Sequence, residues 1–133
     1  MKIVVAIDSF KGSLTSLEAG QAAEIGIKNF SSAAEVKIYP LADGGEGTCQ
    51  TLTQAFNGRM KSVEVVGALG EKIFADYGEI PQKKLAVIEM ASAAGLNLVP
   101  KNLRNPLNTT TYGVGEIIFS AAKNGCRNFI IGI

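Results

Sequence analysis

The chain has 133 residues, of which 47% are hydrophobic and 19% charged, a composition that suits a globular core and excludes a disordered tail. Its formal net charge is +1 and its longest basic cluster is Lys83-Lys84, which argues against a surface dedicated to nucleic acid. It contains no His, so Ser-His-Asp hydrolysis, His-ligated zinc and His-based acid–base catalysis are excluded.

The longest purely apolar runs are about five residues, far short of the roughly 20 that cross a bilayer. The N-terminus lacks the apolar stretch and cleavage site of a signal peptide. Cys49 and Cys126 lie far apart with no CxxC spacing, so both read as reduced thiols of a cytoplasmic protein. No membrane and no nucleic acid partner is expected.

Lys2 to Ile7 is a continuous Val/Ile-rich run, the pattern of a strand buried on both faces. It delivers Asp8, Ser9 and Lys11 to the strand's carboxyl end, where open α/β sheets bind ligands. An acid, a hydroxyl and a cation there suit a small anionic or hydroxylated substrate. Thr15-Ser16-Leu17-Glu18 matches a capping box, and the helix it opens runs to about Phe30. The Gly and Ala content of that helix favours close approach to a sheet. Glu35 to Tyr39 alternates and reads as the second strand.

The segment Asp43-Gly44-Gly45-Glu46-Gly47-Thr48 follows. Its glycines let backbone N–H groups approach a ligand, and the helix after it, from about Glu46 to Phe56, favours an anion at its start. Its two acids point instead toward Mg²⁺ or a substrate hydroxyl. A plain strand-to-helix turn, with an acid at the helix start, is the structural alternative. Residues 1–58 are thus β-α-β-α, the start of a parallel doubly wound sheet.

The rhythm then changes. Met60 to Val66 and Lys72 to Ile80 read as a hairpin across Gly67-Ala68-Leu69-Gly70. Leu85 to Met90 reads as a buried strand, with Glu89 at its end and a short helical turn over 91–95. Arg104-Asn105-Pro106 leads to Thr109-Thr110-Thr111 and a helix from Tyr112 to Lys123, stopped by Asn124-Gly125. This polar cluster opens a helix and suits an anion held by hydroxyls, amides and Arg104. Antiparallel strands after a βαβα start predict a second, inserted α/β unit over residues 59–133. The chain closes inside an apolar strand, Phe129 to Ile133, the expectation being an N-terminal fragment of a longer protein. Strand edges left without partners predict self-association. Neither a Walker A sequence nor a complete GxGxxG is present.

Five segments resemble those of the bacterial glycerate kinase family, of the glycerate 2-kinase type. They are Asp8 through Leu14, Ala42 through Thr48, Val87-Ile88-Glu89-Met90-Ala91, Arg104-Asn105-Pro106-Leu107 and Thr109 through Glu116. They occur in the family's order and run nearly end to end. The resemblance implies ATP-dependent phosphorylation of D-glycerate, at the 2-hydroxyl, with Mg²⁺. It also implies a flavodoxin-like domain with a second α/β domain inserted, and an active site in the cleft between them.

Asp8, Lys11 and Asp43 become the catalytic candidates under that resemblance. Ser9, Gly44, Gly45, Glu46, Glu89, Arg104, Asn105, Thr110 and Thr111 become substrate-binding candidates, with Glu46 also placing the metal. Phosphoryl transfer is mostly positioning and charge neutralisation. Lys11 or Arg104 would clamp the glycerate carboxylate or a phosphate, and Asp43 or Asp8 would take the hydroxyl proton. Family members often carry Pro where this chain has Ile7, and they continue past the last strand into a Gly-rich segment not found here. The isolated chain is therefore expected to be inactive. The competing reading is a non-catalytic module that binds a small anion or hydroxy acid without nucleotide turnover. A response-regulator-like domain fits poorly, because the hairpin interrupts βα alternation.

Overall fold

The computed structural model describes residues 1–10 and 13–133, which form two compact units, Met1–Asp43 and Gly44–Ile133. In the first unit, strands β1 (Lys2–Ile7) and β2 (Glu35–Pro40) pair in parallel, from Lys2 opposite Glu35 to Ile7 opposite Pro40. Helix α1 (Ser16–Phe30) joins them and packs on both. Its capping box is formed as expected. The Thr15 hydroxyl oxygen accepts from the Glu18 N–H at 3.2 Å, and the Thr15 N–H donates to the Glu18 carboxylate at 2.8 Å. Gly20 is where the helix meets the sheet, since a Cβ there would run into the Ile38 side chain. Gly26 has open space in the same test, so only one of the two helix glycines serves packing.

The burial expected for β1 is corrected. The strand alternates between half-buried Ile3, Val5 and Ile7 and exposed neighbours, and Val4 is 64% exposed. Helix α1 covers one face of this two-stranded sheet, and among the described residues of this unit no helix covers the other.

The second unit is a four-stranded mixed sheet in the order β3-β4-β5-β6. Strands β3 (Arg59–Val66) and β4 (Lys72–Ile80) form the expected hairpin, closed where the Gly67 N–H donates to the Glu71 carbonyl at 2.7 Å. Strand β5 (Leu85–Glu89) pairs antiparallel with β4 and parallel with β6 (Asn128–Gly132). Helix α2 (Thr48–Ala55) lies on one face, and α3 (Ala91–Ala94) and α4 (Tyr112–Lys123) lie on the other.

The two-residue period of β5 divides its side chains between these layers. Ala86 and Ile88 join Tyr77, Val114, Ile117 and Ala121 on the α4 side. Leu85 and Val87 join Cys49, Ile80 and Leu52 on the α2 side. Helix α4 is tied to the end of β3 by the Glu116 carboxylate, which accepts from the Val66 N–H at 2.7 Å. The helix start comes so near that strand that a Cβ on Gly113 would meet the Val66 carbonyl.

Helix α2 belongs to the second unit, its apolar face committed to β4 and β5, and the compact units separate between Asp43 and Gly44.

Candidate functional site

In the first unit, the parallel register sets the carboxyl ends of β1 and β2 side by side. The Leu41 N–H donates to the Ile7 carbonyl at 3.0 Å, and the Ser16 hydroxyl donates to the Leu41 carbonyl at 2.8 Å. The segments bearing Asp8-Ser9 and Asp43 therefore leave the same end of the sheet. Asp8 is half-buried and its carboxylate accepts from the Ser9 N–H at 2.7 Å; Asp43 is exposed. Lys11, expected beside them, lies outside the described residues.

The second unit holds two separate groups of expected residues. One is the glycine loop with Glu89. Gly44 and Gly47 take left-handed φ values of +105° and +91°, a region that costs an L side chain energy and glycine almost none. The Gly44 N–H donates to the Thr48 hydroxyl oxygen at 3.1 Å, and the Thr48 N–H donates to the Gly45 carbonyl at 3.2 Å. Glu89, at the end of β5, is only 8% exposed and accepts from the Cys49 N–H at 3.2 Å. Burial pushes its carboxyl above the ordinary glutamate value, and the charge of Glu46 pushes the same way. The backbone N–H groups of Cys49, Gly47 and Thr48 oppose that rise. The start of α2, expected to favour a ligand anion, thus already holds a carboxylate of the protein itself.

The other group surrounds a cavity of about 350 Å³ lined by Arg104, Asn105, Thr110 and Thr111, together with apolar residues including Leu96 and Val99. These four were picked from the sequence, and Thr109 is the fifth polar residue of the lining. Glu89 and the glycine loop do not line it. Arg104 is oriented by two carbonyls, its Nε–H donating to Val99 at 3.1 Å and its Nη2–H to Leu96 at 2.9 Å. The Asn105 side-chain oxygen accepts from the Leu107 N–H at 3.0 Å, which folds the turn back on itself. The Thr110 hydroxyl oxygen accepts from the Tyr112 N–H at 3.0 Å, so its own O–H remains a donor. The Thr110 N–H donates to the Ala68 carbonyl at 3.0 Å, bringing the hairpin loop to the cavity wall. Sequence reasoning missed Ala68, Leu96 and Val99, because apolar wall residues carry no local signal.

Glu79 was also missed. It is buried, and its carboxylate meets Arg59 at 2.6 Å and Lys61 at 3.5 Å. Both thiols are buried and unpaired. Burial pushes Cys49 up to about 11 and raises Cys126 as well, which makes them packing groups rather than nucleophiles.

Among the described residues there is no group of three or more metal-ligating side chains. The expected metal residue, Glu46, is exposed, and a single carboxylate is a donor type that Mg²⁺ takes alongside waters and phosphate oxygens.

The model of the glycerate kinase family matches residues 3–133. This chain belongs to that family. It is 51% identical over 133 residues to a Bacillus subtilis glycerate kinase, covering 100% of this chain and 35% of the relative. To an Escherichia coli glycerate 2-kinase it is 47% identical, again over 100% of this chain and 35% of that protein. A crystal structure from Salmonella typhimurium, named for glycerate kinase 2, superimposes with a TM-score of 0.80 at 47% identity. It covers 100% of this chain and 36% of that one. The chain thus spans about a third of the length of the glycerate kinases it matches. The α/β fold expected from the sequence is the fold of this neighbour. Among the described residues, no helix is long and apolar enough to cross a membrane.

Proposed function

We propose that the whole protein is a cytoplasmic kinase that transfers the γ-phosphoryl group of ATP to the 2-hydroxyl of D-glycerate, forming 2-phosphoglycerate. The observation that carries this reading is the gathering of Arg104, Asn105, Thr110 and Thr111 around one cavity, in a chain that matches the glycerate kinase family almost throughout. Arg104 has its Nε and Nη2 held by carbonyls, so the guanidinium is fixed before substrate arrives. Its remaining N–H groups suit the glycerate carboxylate, since a preorganised guanidinium loses little freedom when it pairs with a carboxylate. The hydroxyls of Thr110 and Thr111 orient the substrate's own hydroxyls.

In the transfer, the substrate oxygen bonds to the γ-phosphorus as the bond to the ADP oxygen breaks. The hydroxyl proton passes to Asp8 or Asp43, and Lys11 neutralises phosphate charge. Glu46 would hold Mg²⁺, which supplies charge neutralisation at the phosphates. These residue roles rest on the family resemblance. The same reading assigns residues 1–58 to a flavodoxin-like domain and residues 59–133 to an inserted one. It also holds that the 133 residues alone do not turn over ATP and that they self-associate through strand edges left without partners.

The test is ADP release by the whole protein with D-glycerate, ATP and Mg²⁺. Glycerate-dependent release is expected, with Arg104→Ala raising the KM for D-glycerate by about tenfold or more, the loss of one charge-assisted contact. Glycerate binding by calorimetry with no ADP release would replace the kinase by the binding-module reading.

A further inference from the structure

Glu89 stands among the substrate-binding candidates, yet its surroundings are made of protein. The side chain is buried and accepts from the Cys49 N–H. Its own carbonyl accepts from the Ser92 hydroxyl at 2.7 Å, which holds the strand end in place. In the parallel register, Gly132 of β6 lies opposite Glu89, and the Met90 N–H donates to the Gly132 carbonyl at 2.9 Å. Gly132 in turn lies against the loop, so near that an added Cβ would meet the Gly44 carbonyl. Two neighbouring strand ends therefore touch the glycine loop at two points: a carboxylate at its C-terminal end and a bare Cα at its N-terminal end. The internal bond from the Gly44 N–H to Thr48 closes the loop between them.

We propose that Glu89 is a positioning residue, which together with Gly132 seats the Gly44–Thr48 loop and does not itself contact substrate. A carboxylate is suited to this because it accepts several N–H bonds at once and is attracted to the positive end of a helix. Alanine at position 132 would act on the same loop through a separate contact, at the Gly44 carbonyl. The catalytic consequence rests on the kinase reading; the seating of the loop does not.

The experiment measures amide hydrogen exchange and kinetics on the whole protein, for wild type and for Glu89→Ala, Glu89→Gln and Gly132→Ala. In Glu89→Ala, the Cys49 amide is expected to exchange about tenfold faster or more, the loss of its bond to a charged acceptor. The Thr48 amide, bonded to the Gly45 carbonyl within the loop, should follow as the loop loosens. Exchange at Ile88 and Ile117 should stay slow. The kcat is expected to fall by about tenfold, with the KM for D-glycerate changing less than kcat, as for a displaced loop. Glu89→Gln keeps an oxygen acceptor and should recover part of both effects, and Gly132→Ala should perturb the same amides. If Glu89→Ala does not fold, the other two variants carry the test.

Unchanged exchange at Thr48 and Cys49 in the folded variants would overturn the proposal, most sharply if the KM for D-glycerate rose instead. Absence of glycerate-dependent ADP release in wild type would remove the kinase reading alone. The exchange measurement would still decide what Glu89 does.

Discussion

Strands β1 and β5 are both short apolar runs entering an acid, Asp8 in one case and Glu89 in the other. In the first unit, one helix covers one face of two strands, and Val4 is left 64% exposed. In the second, helices lie on both faces of four strands, and Ala86, Val87 and Ile88 are each 0% exposed. Asp8 stays half-buried with a local hydrogen bond to its neighbour's N–H. Glu89 is drawn into the protein and bonded to another element forty residues away. What surrounds a strand, rather than the strand's own composition, decides whether the acid at its end is a surface group or an internal one.

The strongest way to break this comparison is to delete apolar volume in each unit. Ile117→Ala, at a fully buried position, is expected to cost about 2–5 kcal/mol through lost burial and a residual cavity. Val4→Ala should lie within about 0.5 kcal/mol, as exposed substitutions usually do. Denaturant titration of the two variants checks this, and equal losses would end the distinction. Next in size, Thr15→Ala removes the cap of α1 and should cost about 1 kcal/mol. The loss should appear as faster amide exchange in α1 and not in α4.

The two helix-start carboxylates give the smallest and most discriminating difference, in the pH dependence of stability. Glu18 is held below its ordinary value of 4.5, first by its bond from the Thr15 backbone and then by the Thr15 hydroxyl. Its contribution is present above 4.5 and lost as pH falls through the lowered folded value. Glu89 is raised above 4.5, chiefly by burial. Its contribution is complete below 4.5 and lost as pH rises through the raised folded value. Just above pH 4.5 the two therefore slope in opposite senses: acidification favours the raised Glu89 and disfavours the lowered Glu18, whose unfolded form is still partly protonated there. Thermal melts of wild type and Glu89→Gln across mildly acidic pH should differ in that slope, with the variant flatter. Identical slopes would mean that Glu89 does not titrate as a buried group.

Much of the local structure was legible in the chain. The capping box at Thr15 and Glu18, the hairpin at Gly67 to Gly70 and the helix from Tyr112 to Lys123 all depend on neighbours a few residues apart. Cavity residues Arg104, Asn105, Thr110 and Thr111 were legible too, being polar and clustered along the sequence. The apolar walls supplied by Leu96 and Val99 were not, and neither was the reach of the hairpin loop to Thr110. Nothing local distinguishes these from ordinary core or loop residues. Helix α2 illustrates the same limit, because its sequence marks it as amphipathic without saying which sheet receives its apolar face.

By itself, the sequence determined the elements, their caps and turns, and a likeness to the glycerate kinase family. Periodicity, capping and backbone freedom act over a few residues, so one chain segment is enough to express them. Only the tertiary structure decided that β1 is half-exposed while β5 is enclosed, that α2 packs with the second unit, and that Glu89 points into the glycine loop. Burial and hydrogen-bond partnership across forty residues depend on which surfaces meet, and no local pattern encodes that.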